Sequence, residues 1–171
     1  MRPVYLYTIP VLWSVFAMYW VAAPRHAKTT LRRESLWSSA THMVPLAIAF
    51  LLIALPRFPG LLGTRLVLWT PANFWVGAPM VAAGLGFAIW ARIYLGRNWS
   101  LSVTVKEGHH LVRRGPYAWV RHPIYTGLLL AFIGSAISLD EWRGFLAVVI
   151  AGGALWSKLR IEEPMDARDL R

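Results

Sequence analysis

The residues best suited to chemistry are concentrated in one short stretch, residues 115–127, which we call the polar segment. It reads Gly-Pro-Tyr-Ala-Trp-Val-Arg-His-Pro-Ile-Tyr-Thr-Gly and lies between two long apolar runs. Pro123 disfavours a helical backbone at His122, and a proline is well suited to the first turn of a helix that follows. The pattern therefore predicts a helix N-terminus with cationic and aromatic side chains beside it. Such an arrangement is a favourable place for the anionic group of a small ligand.

The composition around the polar segment is typical of a membrane protein. Hydrophobic residues make up 57% of the chain and charged residues only 15%, whereas soluble domains carry about a quarter charged residues. The ten Trp residues cluster near the ends of apolar runs, as in the aromatic belts of membrane proteins. The absence of Cys excludes disulfides and a thiolate metal site, and we expect no metal. The net charge of +10 is better explained by membrane topology than by nucleic acid, because no nucleic-acid-binding motif accompanies it.

Five apolar runs predict an all-α, multi-pass membrane protein with five transmembrane helices in a single domain, residues 1–171. The second run is short, so we expect either that its helix extends upstream through Trp37 or that it spans where the bilayer is thinned. Only Asp140 and Glu141 separate the last two runs, which predicts a tight antiparallel hairpin. The five runs are 4–23, 42–55, 74–93, 124–139 and 142–159.

Small residues in the last two runs predict that these two helices approach each other closely. These residues are Gly127, Gly134, Ser135, Ala151, Gly152, Gly153 and Ala154. Glycines in the third run, at positions 77, 84 and 86, are interpreted as helix-packing contacts as well.

The distribution of Lys and Arg predicts the orientation of the chain. Most of these 18 residues fall on segments that lie in the cytosol if the N-terminus is outside and the C-terminus is cytosolic. This orientation places the polar segment and the pair Glu162-Glu163 on the same cytosolic side. Two β-prone stretches, 102–105 and 109–112, lie between the third run and the polar segment. They flank a Gly-containing turn and therefore predict a small hairpin.

Five short sequence motifs, in the order in which they follow one another along the chain, resemble those of the isoprenylcysteine carboxyl methyltransferase family of integral membrane enzymes. The similarity covers roughly residues 75–165. It implies a methyltransferase that uses S-adenosylmethionine, with a cytosolic cofactor pocket formed by the loop between spans 3 and 4 and the C-terminal segment. It also implies a lipophilic acceptor that enters from the membrane lipids, by resemblance the carboxylate of a prenylated cysteine, although another lipid-like carboxylate, a phenol or an amine stays open as the acceptor. The motifs are RIYLGRNWS at 92–100, HLV at 110–112, GPY at 115–117, RHPIYTG at 121–127 and RIEE at 160–163.

The resemblance implies a role for each site residue. Arg121 and Glu163 are the expected catalytic residues. Arg121 and His122 suit the carboxylate of S-adenosylmethionine, and Glu162 or Glu163 suits its ammonium or ribose hydroxyls. A carboxylate acceptor is already ionised at neutral pH, so the protein mainly aligns the reacting atoms and excludes water. The expected cofactor-binding residues are His110, Leu111, Gly115, Tyr117, Arg121, His122, Pro123, Tyr125, Glu162 and Glu163.

Two other functions remain open at this stage. Membrane sterol reductases, which use NADPH, carry a stretch similar to Arg121-His122-Pro123, and a catalytically silent membrane protein could retain the same fold. A reductase would need a basic subsite for the 2′-phosphate of NADPH, for which Arg97, Arg113 and Arg114 are candidates. Independently of the function, Arg121-His122 could act as a plain membrane anchor and Glu162-Glu163 as a solvated helix end.

The C-terminal segment gives a further set of expectations. Relatives usually continue past the acidic pair with an aromatic helical segment, whereas here Pro164 follows at once. We therefore expect the last helix to end at Pro164, residues 165–171 to form a loose flap, and the cofactor to bind more weakly. A carboxylate of Glu162 or Glu163 is expected within about 10 Å of His122, the span of a small cofactor.

Overall fold

The computed structural model describes residues 3–23, 30–33, 36–55, 58–67, 70–96, 104–106 and 115–169. Within these ranges it does not describe the side chains of 3, 5, 6, 30–33, 36–39, 104–106 and 161–169. This part of the chain forms five α-helices, so all five predicted helices are confirmed, and α2 does begin upstream of Trp37. The helices are α1 (Pro3–Ala22), α2 (Leu36–Ala54), α3 (Pro71–Leu95), α4 (Pro123–Leu139) and α5 (Trp142–Asp169). There are also two short strands, β1 (Thr30–Arg33) and β2 (Thr104–Lys106), and two 3-10 helices, Leu61–Gly63 and Gly115–Ala118.

Helix α3 is the one helix in the described ranges that is long and apolar enough, by length and composition, to cross a membrane. Its 25 residues span about 37 Å, more than the roughly 30 Å of a bilayer core. Shorter apolar helical stretches occur at Tyr7–Ala22, Ala40–Ala54 and Pro123–Leu139. The prediction of five helices is therefore confirmed, whereas the prediction that all five cross the membrane is not.

Helices α3 and α4 pack backbone against backbone at two pairs of glycines. A Cβ on Gly84 would lie 2.5 Å from the carbonyl oxygen of Gly127, and a Cβ on Gly134 would lie 2.7 Å from that of Gly77. The glycines of each helix are seven residues apart, about two turns, so they lie on one face. The two backbones are therefore in direct contact, the close approach that small residues permit in membrane helices.

The prediction that Gly127 and Gly134 face α5 is wrong. Small residues indicate that a close neighbour exists but not which helix it is, and here the neighbour is α3. The close approach of α4 to α5 lies elsewhere, because a Cβ on Gly144 would be 2.9 Å from Cα of Ala136. A Cβ on Gly86, Gly152 or Gly153 would meet no described atom within 4 Å.

The connection between α4 and α5 is as tight as predicted and is tied to the loop that follows α2. Asp140 ends α4 with a left-handed backbone, φ 53° and ψ 38°. Its carbonyl oxygen accepts a hydrogen bond from Leu66 N at 3.0 Å, and Trp142 N donates to Thr64 O at 3.2 Å.

Arg143, at the start of α5, anchors the end of α2. It is 1% exposed, donates to Leu52 O at 3.3 Å and to Leu55 O, and pairs with Glu141 at 2.5 Å. The last carbonyls of a helix lack intrahelical donors, so a cation placed there meets both a hydrogen-bonding need and the helix dipole.

Helix α1 is held to the core by Trp13. Its Nε1 donates to Ser135 Oγ of α4 at 2.9 Å, and its ring centroid lies 5.5 Å from that of Phe50 and 5.0 Å from that of Phe132. Trp13 therefore joins the two N-terminal helices to α4 through a shared aromatic cluster.

The described segments between the helices contribute one pair of strands. Strand β2 pairs antiparallel with β1, with Thr30 opposite Lys106 and Arg33 opposite Thr104. The stretch 109–112 lies outside the described residues, so its pairing with 102–105 stays a prediction.

The prediction that the last helix ends at Pro164 is wrong. Helix α5 continues through Pro164 to Asp169. Pro164 removes one backbone hydrogen bond and crowds the carbonyl of residue 160, but the helix-forming residues on either side carry the helix past it.

Candidate functional site

The polar segment begins with a tight turn packed on the end of α3. Gly115 has φ 58°, and a Cβ there would lie 2.6 Å from the ring of Tyr94, so only glycine fits. Pro116 is fully buried, and its carbonyl oxygen accepts hydrogen bonds from Trp119 N and Val120 N, each at 3.2 Å. The sequence Gly-Pro thus fixes the path of the backbone before Arg121.

Aromatic rings hold this turn against α3. The ring of Trp90 lies 5.8 Å from that of Tyr94 and 5.6 Å from that of Trp119, both edge-to-face. Trp119 is 74% exposed, so its outer face is free to contact the headgroup region of a bilayer, where Trp is favoured.

Helix α4 starts as the sequence predicts. His122 is the residue before the helix, with φ −125° and ψ 68°, and Pro123 occupies the first turn. The carbonyl oxygen of His122 accepts hydrogen bonds from Thr126 N at 3.0 Å and Thr126 Oγ1 at 3.1 Å. Pro123 is fully buried, so this end of α4 is held firmly by packing.

The side chains at this helix start form a stack that reaches across to α5. The rings of His122 and Tyr125 are parallel, with an interplanar angle of 1° and centroids 5.5 Å apart. The Nζ of Lys158, on α5, lies 5.4 Å from the centroid of the Tyr125 ring, within the range of a cation–π interaction. We call these three residues, His122, Tyr125 and Lys158, the stack; all three are half-buried.

Six of the predicted site residues therefore lie together in one short stretch of chain. Gly115 and Pro123 shape the backbone, Tyr117, His122 and Tyr125 are half-buried, and Arg121 is exposed. His110 and Leu111 lie outside the described residues. Glu162 and Glu163 belong to the backbone of α5, but their side chains are not described, so their distance from His122 stays a prediction.

Sequence reasoning missed Lys158. The charge pattern predicts only that Lys158 lies on the cytosolic side, because a lysine near the end of an apolar run usually extends toward the headgroup region. Two features of the sequence, taken together, would have indicated that Lys158 lies near the start of α4. The α4–α5 hairpin is antiparallel and tight, and position 158 lies one turn before position 162 on the same side of α5.

Arg92 is a second basic residue whose environment differs from the expectation. The charge pattern predicts an arginine on the cytosolic side, whereas the side chain of Arg92 is only 4% exposed. Its guanidinium lies 4.4 Å from the ring centroid of Trp20 and 6.0 Å from that of Tyr19. Aromatic faces of α1 thus surround a cation in the last turn of α3, where the helix dipole favours positive charge.

A comparison of the sequence with known protein families matches the part of the chain that contains the polar segment, α4 and α5. The model of a family described as phospholipid methyltransferase matches residues 72–169, from the first turn of α3 to the end of α5, which is more than half of the chain. The uncharacterized protein YpbQ of Bacillus subtilis (strain 168) is 33% identical over 64 residues. That similarity covers 37% of this chain and 38% of YpbQ, so it spans little more than a third of the relative.

Proposed function

Because the chain belongs to the phospholipid methyltransferase family, we propose that it transfers the methyl group of S-adenosylmethionine to a lipophilic acceptor at the cytosolic face of a membrane. Members of this family are integral membrane methyltransferases that use S-adenosylmethionine and are related to the isoprenylcysteine carboxyl methyltransferases. The methyltransferase chemistry and the membrane location follow from membership. The residues, the orientation and the acceptor are argued below.

The stack is the observation that carries the assignment of the site. The ligand to be bound has a carboxylate, an ammonium, an aromatic base and a sulfonium. The donor set fits these groups: His122 and Arg121 suit the anion, and the rings of Tyr117 and Tyr125 suit a cation or a base. The helix dipole at the start of α4 adds to the attraction for the anion.

The acidic pair completes the proposed site from α5. Position 162 follows Lys158 by one helical turn, and Lys158 contacts Tyr125, so the backbone leads the pair toward the start of α4. We assign Glu162 and Glu163 to the ammonium or the ribose hydroxyls of the cofactor, with Glu163 and Arg121 as the residues nearest the reacting atoms. His110 and Leu111 are assigned to the cofactor as well, from the loop between α3 and α4.

When bound, S-adenosylmethionine supplies an activated methyl group on sulfur. The protein's own contribution is to hold the carboxylate at His122 and Arg121, to orient the sulfonium beside an aromatic face, and to keep water away from the line of transfer. The buried prolines at 116 and 123 fix the backbone on both sides of these groups. Alignment of this kind is the main requirement when the nucleophile is already ionised.

We assign the acceptor as the carboxylate of a prenylated cysteine or a similar lipid-like acid. Arg121 and His122 directly precede α4, and Lys158 lies over the neighbouring Tyr125 ring, so basic side chains at this end of α4 favour an anionic acceptor. A phospholipid amine is the second candidate, favoured by the description of the matching family. An amine would first have to lose a proton to a base, a step that the carboxylate does not need.

The charge distribution supports an orientation with the N-terminus outside and the C-terminus in the cytosol, which would give the site access to cytosolic S-adenosylmethionine. The family match favours methyl transfer over the NADPH-dependent reductase chemistry that the sequence also suggested. A silent protein that retains the fold would bind neither cofactor nor acceptor productively.

A methyl-transfer assay tests the proposal. The full-length protein in lipid nanodiscs is incubated with methyl-tritiated S-adenosylmethionine and either N-acetyl-S-farnesylcysteine or phosphatidylethanolamine. We expect label in a base-labile methyl ester of the farnesylated acceptor, and loss of that label in His122→Ala. Label only in base-stable N-methyl lipid would transfer the assignment to the phospholipid amine. An absence of label with both acceptors would contradict both candidates.

A further inference from the structure

Helices α3 and α5 each carry a tryptophan near both ends of the same helix. Both helices run antiparallel to α4, which lies between them, so they point in the same direction. Trp75 and Trp142 therefore lie at one end of the bundle, and both are exposed. Trp90, which is half-buried, and Trp156, which is exposed, lie at the other end. We call the surface of α3 and α5 between these residues the tryptophan-bordered band.

The two helices give nearly the same separation between their tryptophans. On α3, Trp75 and Trp90 are about 22 Å apart along the helix axis. On α5, Trp142 and Trp156 are about 21 Å apart. Tryptophan is favoured at the two borders of a bilayer core, and an ordinary core is about 30 Å thick. The borders marked by these side chains are therefore closer together than in an ordinary bilayer, and any helix tilt brings them closer still.

The band is apolar, and basic side chains lie at both of its ends. Arg160 follows Trp156 by one turn, with its guanidinium 5.1 Å from the centroid of that ring. At the other end, the exposed Arg65 pairs through its backbone with Glu141, which directly precedes Trp142. Cations at both ends are complementary in charge to the phosphates of the two headgroup layers, so a phospholipid bilayer is the partner that this surface fits. The exposed residues of the band are Val76, Pro79, Ala82, Ala83 and Gly86 on α3 and Phe145, Val149 and Gly153 on α5.

The length of α4 indicates a similar thickness. This helix has 17 residues, about 26 Å, and polar residues border it, with His122 before its first turn and Asp140 after its last. A helix needs about 20 residues to cross an ordinary bilayer core. The apolar stretches of α1 and α2, Tyr7–Ala22 and Ala40–Ala54, are shorter than α4. Helix α3 is longer, but it extends past its two tryptophans at both ends.

We propose that the tryptophan-bordered band binds phospholipids with short acyl chains, and that the protein is suited to a bilayer whose hydrocarbon core is roughly 21–26 Å thick. A bilayer of longer chains must become thinner around the protein, which costs free energy for each ångström of mismatch. Lipids with short chains meet the band without that cost and are therefore bound preferentially. This inference concerns the lipid partner alone. It goes beyond the proposed function and holds whether or not the chain transfers a methyl group.

The test measures lipid preference through the intrinsic fluorescence of the ten Trp residues. The purified full-length protein is reconstituted in mixtures of dibrominated dioleoylphosphatidylcholine, which quenches tryptophan on contact, with one unbrominated phosphatidylcholine. In order of increasing chain length, the unbrominated lipid is the dimyristoleoyl, dioleoyl or dierucoyl form. A lipid that binds more strongly displaces more of the quencher from the protein surface, so the fluorescence gives its relative binding constant. We expect the dimyristoleoyl lipid to bind roughly two- to fivefold more strongly than the dierucoyl lipid, with the dioleoyl lipid between them.

Two variants test whether the tryptophans set this preference. Trp142→Leu and Trp156→Leu each remove one border of the band but keep an apolar side chain. Phe145→Leu is the matched control, because Phe145 is an exposed aromatic residue on the same face of α5, one turn inside Trp142. We expect the ratio between the shortest and the longest lipid to fall toward one in each tryptophan variant and to stay at the wild-type value in Phe145→Leu. Thermal unfolding confirms that each variant is folded, and Trp156→Leu alone decides if Trp142→Leu does not fold.

Strongest binding of the dioleoyl or the dierucoyl lipid by the wild type would overturn the inference. An unchanged ratio in the tryptophan variants, or an equal fall in Phe145→Leu, would also overturn it. The variant that lacks both Trp142 and Trp156 should show a smaller quenched fraction in the pure brominated lipid. A fraction that does not fall would mean that these rings do not contact lipid, and a second copy of the chain rather than the bilayer would then be the partner of the band.

Discussion

Replacing Gly84 with alanine should separate α3 from α4 and destabilise the fold. The Cβ of the new alanine would lie 2.5 Å from the carbonyl oxygen of Gly127 and 2.7 Å from the amide nitrogen of Ala131. Both contacts are backbone atoms of α4, so no side chain can rotate away to relieve them. An ordinary contact at this position begins near 3.4 Å, so the helices must separate by about 0.9 Å or distort, since packed interiors tolerate little added volume.

The expected cost follows from two opposing effects. Overpacking of this kind costs about 1–3 kcal/mol, and the better helix propensity of alanine offsets roughly 0.5–1 kcal/mol of it. A net loss of about 1–2 kcal/mol corresponds to a fall in Tm of roughly 2–8 °C for a chain of this length. Gly86→Ala is the matched control, because on the same helix its Cβ would meet no described atom within 4 Å. Only the gain in helix propensity remains there.

Heating of the purified variants, followed by intrinsic tryptophan fluorescence, measures this difference directly. We expect Gly84→Ala to unfold below the wild type and Gly86→Ala at or above it. The same separation should displace the start of α4 and weaken binding of S-adenosylhomocysteine in Gly84→Ala alone. Equal Tm values for the two variants would refute the direct backbone contact between α3 and α4.

Three further predictions concern other parts of the molecule. Arg143→Met should lower the free energy of unfolding by on the order of 3 kcal/mol, because it leaves a carboxylate and the last carbonyls of α2 without their cation; wild-type stability in denaturant titration would contradict this. His122→Ala and Arg121→Ala should each weaken S-adenosylhomocysteine binding by roughly ten- to hundredfold without unfolding the protein, and unchanged affinity in both would move the site elsewhere. Leu61→Cys and Trp119→Cys replace residues that are each 74% exposed in a chain without native Cys. A membrane-impermeant thiol reagent should label the first in intact cells and the second only after the membrane is opened, and the reverse pattern would invert the orientation.

The sequence was sufficient to predict features that depend only on residues next to one another in the chain. Pro123 restricts the backbone of its neighbour and favours a helix start, so the start of α4 and the non-helical conformation of His122 could be predicted. The two-residue connection at Asp140 likewise requires an antiparallel hairpin. The grouping of Gly115, Tyr117 and His122 followed because these residues are close neighbours along the chain.

The sequence was insufficient where a residue's environment is supplied by another element. Gly127 indicates a close neighbour, but only the packing identifies it as α3. Arg92 is buried because Trp20 of α1 provides a ring for it, and Lys158 turns inward because Tyr125 of α4 does. Such pairings depend on helix rotation and tilt, which an apolar run does not specify.

A similar limit applies to the connecting segments and to the end of α5. A β-prone stretch does not identify its partner, so the pairing of β2 with β1 could not be predicted. Pro164 was expected to stop α5 because it removes a backbone hydrogen bond. The cost at one position is outweighed by the helix-forming residues on both sides, so the helix continues to Asp169.

The most direct test of the central claim is calorimetric titration of the purified wild-type protein, in nanodiscs, with S-adenosylhomocysteine and separately with NADPH. A methyltransferase with its site at the start of α4 should bind S-adenosylhomocysteine, bind it roughly ten- to hundredfold more weakly in His122→Ala, and show no heat of binding with NADPH. Binding of NADPH without S-adenosylhomocysteine, or binding of neither, would contradict the account.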